Sequence, residues 1–318
     1  MKNNRKRGLF MMERIKLLFI TRDFSKNIEK SSYYLSRELS KHTDLTLWHK
    51  RGHIQAILSQ LSQQPDFILL NDFKPDYCPE IKGLRSSPVP YGIIMHDLHY
   101  KVSQRKRFIV KENIQHIFSI CRDSFLSWYP EFENRMVWFP FHVPEDIFRD
   151  YGESKIYNFL MMGAMDPRYY PLRVKMAEEM KGEKGFIHLK HPGYGVIDDG
   201  KVLTGEVYAR EINRAKLFLT CDSSLHFPLL KYFEVLACKT LLLAPSNQEL
   251  QDLGFKEAEN FISINEDNFK EKAFYYLSNE LETQRIVNNG YEMVHKNHST
   301  EKRVKQLITR VKEIINNR

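Results

Sequence analysis

Short apolar runs alternate with longer amphipathic stretches along the whole chain. Ile15 to Ile20 predicts a buried first strand, followed by a polar loop at 21–26 and a helix around Glu29–Leu39. Leu45 to Trp48 predicts a second strand, and Ile54, Ile57, Leu58 and Leu61 recur at helical spacing. Phe67 to Leu70, Val89 to Met95, His116 to Ile120 and Arg135 to Phe139 predict four more strands. Two prolines then interrupt the pattern within Phe139–Phe148, and a polar stretch with Gly152 follows. The alternation restarts after it. Tyr157–Met162, Phe186–Leu189, Lys216–Thr220, Leu241–Leu243 and Phe261–Ile264 read as strands. Helices are expected at about 171–180 and 229–237, and almost continuously from Asp267 onward. Strands alternating with helices predict parallel sheets covered on both faces. The expected division is a first domain at 1–150 and a second at 151–318, with a ligand cleft between their strand carboxyl ends.

A length of 318 residues suits two such domains better than one core. With 42% hydrophobic and 28% charged residues the chain is an ordinary globular one, not a disordered one. No apolar run approaches the roughly 18–20 residues needed to span a bilayer. The net charge of +8 is uneven: residues 1–150 hold 24 Lys+Arg against 17 Asp+Glu, and 151–318 hold 24 against 23. That places the basic excess in the first half, with Lys101, Arg105, Lys106, Arg107 and Lys111 clustered on one predicted helix. Such a surface suits an anionic partner, whether a membrane face, a nucleic acid, or a phosphorylated or polymeric acceptor, with a merely solvated surface as the plain alternative. Nucleic acid is not expected, because interleaved aromatics are missing. Cys78, Cys121, Cys221 and Cys238 show no metal or redox spacing and read as small core residues. The basic start, Met1–Arg7, precedes a brief apolar run that breaks at Glu13-Arg14 with no cleavage site, so a cytoplasmic protein is expected.

The densest candidate chemistry lies in Asp222–Pro245. Pro228 suits the first turn of a helix, whose free N–H groups would favour a phosphate beside Lys231. Glu234 sits among Val235, Leu236 and Ala237, where a carboxylate needs donors that ribose or sugar hydroxyls supply. In the first half, the strand Tyr91–Met95 ends in His96-Asp97, with His99 two residues on. Lys190-His191-Pro-Gly follows another strand.

The run Phe227-Pro-Leu-Leu-Lys-Tyr-Phe-Glu-Val-Leu-Ala-Cys-Lys239 resembles the signature of nucleotide-sugar glycosyltransferases of the two-Rossmann-domain (GT-B) fold. It is most similar to the family-4-like group that includes the CgeB and YkvP spore-maturation proteins. Phe159–Arg168, Phe139–Phe148, Asn260–Ile264 and His298-Ser299 with Arg303 continue the likeness, which is strong over about 139–318 and loose before it. The resemblance implies an α/β chain of two Rossmann-like domains facing a cleft, with a C-terminal helix crossing back to the first. It implies sugar transfer from a nucleoside-diphosphate sugar, in cell-surface, polysaccharide or spore-layer glycosylation, without a cofactor and usually without a metal. The sequence offers no Asp-x-Asp pair. By the same likeness Glu234 would hold the donor ribose, and Gly163, Arg168 and Lys231 the diphosphate. Lys190, His191 and His226 would line the donor pocket, and His96 would hold the sugar or take the acceptor proton. His226 stands where many relatives carry the first Glu of a pair, and Lys239 where a Gly often ends the helix. These departures keep open a non-catalytic sugar- or nucleotide-binding relative. A dinucleotide oxidoreductase is disfavoured, because no G-x-G-x-x-G follows Ile20 or Met162.

Overall fold

A computed structural model describes residues 14–190 and 203–317. The first domain contributes β1 (Lys16–Ile20), β2 (Asp44–Trp48), β3 (Gly52–His53), β4 (Phe67–Asn71), β5 (Ile81–Lys82), β6 (Tyr91–Met95), β7 (His116–Ser119) and β8 (Met136–Trp138). Six of these form a parallel sheet in the order β2-β1-β4-β6-β7-β8. β4 is buried at all five positions: Phe67 to Leu70 form an apolar run in the middle of a parallel sheet, and Asn71 ends it at the cleft. β3 and β5 pair separately in a two-residue ladder that their polar surroundings did not announce. The second domain contributes β9 (Tyr157–Gly163), β10 (Phe186–Lys190), β11 (Ala215–Leu219), β12 (Leu241–Ala244) and β13 (Ile262–Ser263). These run parallel in the order β10-β9-β11-β12-β13. All eleven expected strands are present, shifted by at most two residues at their ends.

Both sheets reverse their direction of growth beside their first strand, at β1/β4 and at β9/β11. A crevice opens outside the strand carboxyl ends at such a reversal, because the flanking helices diverge to opposite faces. The loops after β1, β4 and β6 therefore face those after β9 and β11.

The terminal helix Thr300–Asn316 crosses back, as expected. Its Val304, Leu307, Val311 and Ile314 are buried in the first domain's core with Leu17, Leu35 and Leu39. Ser299 caps this helix by accepting from the Lys302 N–H, and a backbone bridge pairs Ser299 with Val143 at the crossover. On one side of the cleft, Glu249 of the second domain accepts hydrogen bonds from the Arg122 and Asp123 N–H groups and from Trp138 Nε1. Across the cleft's rim, Thr204 Oγ1 donates to the Ile28 carbonyl at 2.8 Å.

The expected basic cluster is divided by the fold. Arg105 is fully buried, 2.7 Å from the equally buried Asp72, because its helix, Val102–Lys111, turns that position onto the sheet. Lys106 is ion-paired with Glu131 at 2.8 Å. Lys101, Arg107 and Lys111 remain exposed. Among the described residues no helix is long and apolar enough to cross a membrane.

Candidate active site

The second domain's side of the cleft is built around a buried cation. β9 ends at Gly163, whose φ of +145° places it in backbone territory that L residues avoid. A Cβ here would lie 2.8 Å from the guanidinium of Arg173. Arg173 occupies the first turn of the helix Pro171–Met180 and is 2% exposed. Its Nη1 donates to the Ala164 carbonyl at 2.9 Å, and its plane lies 4.2 Å from the centre of the Tyr170 ring. Its Nη2 reaches only 3.4 Å contacts with Thr220 and Cys221, and its buried Nε has no hydrogen-bond partner among the described residues. No carboxylate pairs with it there. A buried guanidinium without a counter-ion is costly, and an anionic ligand would supply the missing charge.

A second cation converges on the same space. The helix Leu230–Ala237 starts at the cleft, with Leu229, Leu230, Lys231 and Glu234 lining it. Lys231 Nζ donates to the Tyr208 hydroxyl at 2.6 Å, and that hydroxyl donates to Glu234 Oε2 at 3.1 Å. Burial pushes the Lys231 ammonium down to about 8, against the pull of Glu234. Burial also raises Glu234 above the usual carboxylate range, partly offset by Lys231 and the Tyr208 hydroxyl. Oε1 of Glu234 has no hydrogen bond among the described residues. Both helices carry a cation and no acid in their first turns, where the peptide dipoles are already positive. This pairing is unfavourable for the helices alone and favourable for a bound diphosphate.

The first domain's side presents His96, at the end of β6. The Thr21 hydroxyl donates to the Arg22 carbonyl, so it accepts from Asn71 Nδ2. That fixes the Asn71 amide with Oδ1 towards His96 Nε2, at 2.9 Å. The proton therefore sits on Nε2, and Nδ1 keeps its lone pair. The ring stacks on Tyr77 at 4.4 Å, and burial lowers its pKa, which favours the neutral base. The His96 N–H is held by Asp72, the partner of Arg105.

Two cavities of about 180 and 310 Å³ meet here and share Glu29, Ser31, Gly163, Leu230, Lys231 and Glu234. Of the residues expected from sequence, Gly163, Lys231, Glu234 and Lys190 line the first cavity, and His96 the second. Arg168 is displaced from the expectation: its side chain is 81% exposed and paired with Asp166. His226 also lies outside the cleft lining. Its φ of +54° turns it outward, where Nδ1 sits 2.9 Å from Asp222. His191 lies outside the described residues. Pro228 precedes the helix rather than opening it. Lys239 does adopt the left-handed conformation, at φ +54°, that a glycine favours. Arg173, Tyr208, Glu29 and Asn71 were missed. The one available signal was an arginine in a helix's first turn.

A family model described as glycosyl transferase-like matches residues 172–309, which include Arg173, Lys231 and Glu234. The fold is that of GT-B glycosyltransferases. HepE from Anabaena, solved with UDP and glucose, superposes with a TM-score of 0.65 at 8% identity, covering 94% of this chain and 99% of that one. A glycosyltransferase from Rickettsia africae gives 0.64 at 11% identity, over 96% of this chain and 100% of that one. Sucrose-phosphate synthase from Thermosynechococcus elongatus gives 0.65 at 12% identity, again over 96% and 100%. No curated protein matches the chain.

Proposed function

We propose that the protein is a glycosyltransferase that moves a sugar from a nucleoside-diphosphate sugar to an acceptor held on the first domain's side of the cleft. The observation that carries this reading is Arg173, a buried cation without a counter-ion among the described residues, beside Gly163 and two helix starts. In this reading the diphosphate lies against Arg173, Lys231 and the free N–H groups of the helix at Leu230, and Glu234 accepts from the ribose hydroxyls. The bond between the anomeric carbon and the β-phosphate oxygen breaks, and a bond to the acceptor oxygen forms. The cations stabilise the charge that develops on the departing diphosphate. His96 takes the acceptor's proton on Nδ1. Neighbours solved with UDP and with UDP-glucose support the donor class.

The reading extends to a CgeB/YkvP-like, metal-independent enzyme of cell-surface, polysaccharide or spore-layer glycosylation, working in the cytoplasm at the inner membrane face. The exposed Lys101, Arg107 and Lys111 support the membrane contact. The outward His226, standing where many relatives carry a Glu, favours a second reading: a binding protein without transfer. The test of both is release of nucleoside diphosphate from a panel of nucleotide sugars by purified protein. Turnover supports the enzyme, binding without release supports the second reading, and no binding contradicts both.

A further inference from the structure

Glu29 stands in the loop after β1 and lines the two cavities described above as well as a third, outer one that opens beside Phe24, Tyr77 and Tyr169. Its Oε1 accepts from the Ser31 N–H at 2.6 Å. Its Oε2 is shielded from solvent and has no hydrogen-bond partner among the described residues. The lysines around it among the described residues are committed elsewhere. Lys30 Nζ donates to the Ser25 carbonyl, Lys231 Nζ to Tyr208, and Lys74 Nζ to Asp97. A carboxyl oxygen left in this state loses its hydration without a replacement. A phosphate would not relieve it, since two anions would meet. A neutral hydroxyl group would, by donating to it.

The cleft is thus divided chemically. Arg173 and Lys231 make an anion end on the second domain, and Glu29 makes a hydroxyl-seeking end on the first. We infer that Glu29 binds the hydroxyls of the transferred sugar from across the cleft and so makes the site prefer a nucleotide sugar over the free nucleoside diphosphate. This rests on the nucleotide-sugar reading and goes beyond it by assigning sugar selection to the first domain. Burial raises the Glu29 carboxyl, which fits a group awaiting a partner.

The test compares wild type, Glu29→Ala and Glu29→Gln by calorimetric titration with UDP, ADP and GDP and with their glucose conjugates. Thermal melting of each variant checks the fold. Glu29→Ala is expected to weaken the nucleotide sugar about 10- to 100-fold, the worth of one hydrogen bond to a charged group, with the diphosphate unchanged. Glu29→Gln keeps an acceptor oxygen and should lose less. Equal losses for diphosphate and nucleotide sugar would overturn the inference, because they would assign Glu29 to the ribose or to the loop's structure. Unchanged affinities for both would also overturn it. Wild type that binds no member of the panel would overturn the nucleotide-sugar reading itself.

Discussion

Replacing Arg173 by methionine separates a ligand-binding role from a structural one. Among the described residues the guanidinium makes one hydrogen bond of ordinary length, to Ala164, and one stack, on Tyr170. A hydrogen bond from a charged group contributes about 1.5–3 kcal/mol. A desolvated cation–π contact adds about 2 kcal/mol. The 3.4 Å contacts to Thr220 and Cys221 are at the long limit and add little. Against these stands the several kcal/mol that burying an ion costs. The two sides nearly cancel, and methionine keeps most of the packing. Arg173→Met should therefore alter the stability of the empty protein by no more than about 2 kcal/mol, a melting shift of roughly 5 °C either way. Removing one partner of a buried charge pair costs about 2–5 kcal/mol, so affinity for the nucleoside diphosphate should fall at least about 30-fold. Calorimetric titration and thermal melting, with and without nucleotide, read both quantities. A variant that melts more than about 10 °C lower yet binds nucleotide as wild type does would refute the reasoning and make Arg173 a structural residue.

Lys231, pushed down to about 8, makes donor affinity pH-dependent. The protonated form holds phosphate, so affinity should fall by up to about tenfold per unit as pH rises above about 8, while Lys231→Arg stays flat. Stability of the empty protein should move the other way: the unfolded chain binds more protons between about 8 and the ordinary lysine value, so unfolding free energy rises with pH across that window. His96→Ala should preserve nucleotide affinity but lower transfer at least about tenfold, and wild-type transfer should rise with pH through a midpoint below the ordinary histidine range. Full activity in that variant would remove His96 from the proton-transfer role. Leu307→Ala, in the crossover helix, should cost about 2–5 kcal/mol by chemical denaturation, because Leu307 is 2% exposed in the first domain's core. A loss below about 0.5 kcal/mol would mean that the helix contributes little to that domain.

The fold was readable because the central strands carry their burial in their own composition. β4 is apolar from Phe67 to Leu70, and the apolar stripe Val304, Leu307, Val311 and Ile314 announces a helix that needs a distant surface. β3 and β5 escaped notice because a two-residue pairing leaves no period to detect. At the site, Glu234, Lys231 and Gly163 were accessible because a recognisable local run surrounds them. Arg168 and His226 lie away from the cleft lining for the opposite reason. Their neighbours in sequence face the cleft, but a local turn and a left-handed residue send these two side chains to solvent, each beside its own acid. Arg173 and Glu29 depend on what lacks a partner in three dimensions. Sequence names the charge but not the missing counter-ion.

The central claim is that a nucleoside diphosphate lies between Gly163, Arg173 and the helix start at Leu230. A crystal structure of the protein with the nucleoside diphosphate that titrates best tests it most directly. The account predicts phosphate oxygens within hydrogen-bonding distance of Arg173 and Lys231, with the ribose hydroxyls on Glu234. A nucleotide seated elsewhere, with Arg173 still unpaired, would contradict it.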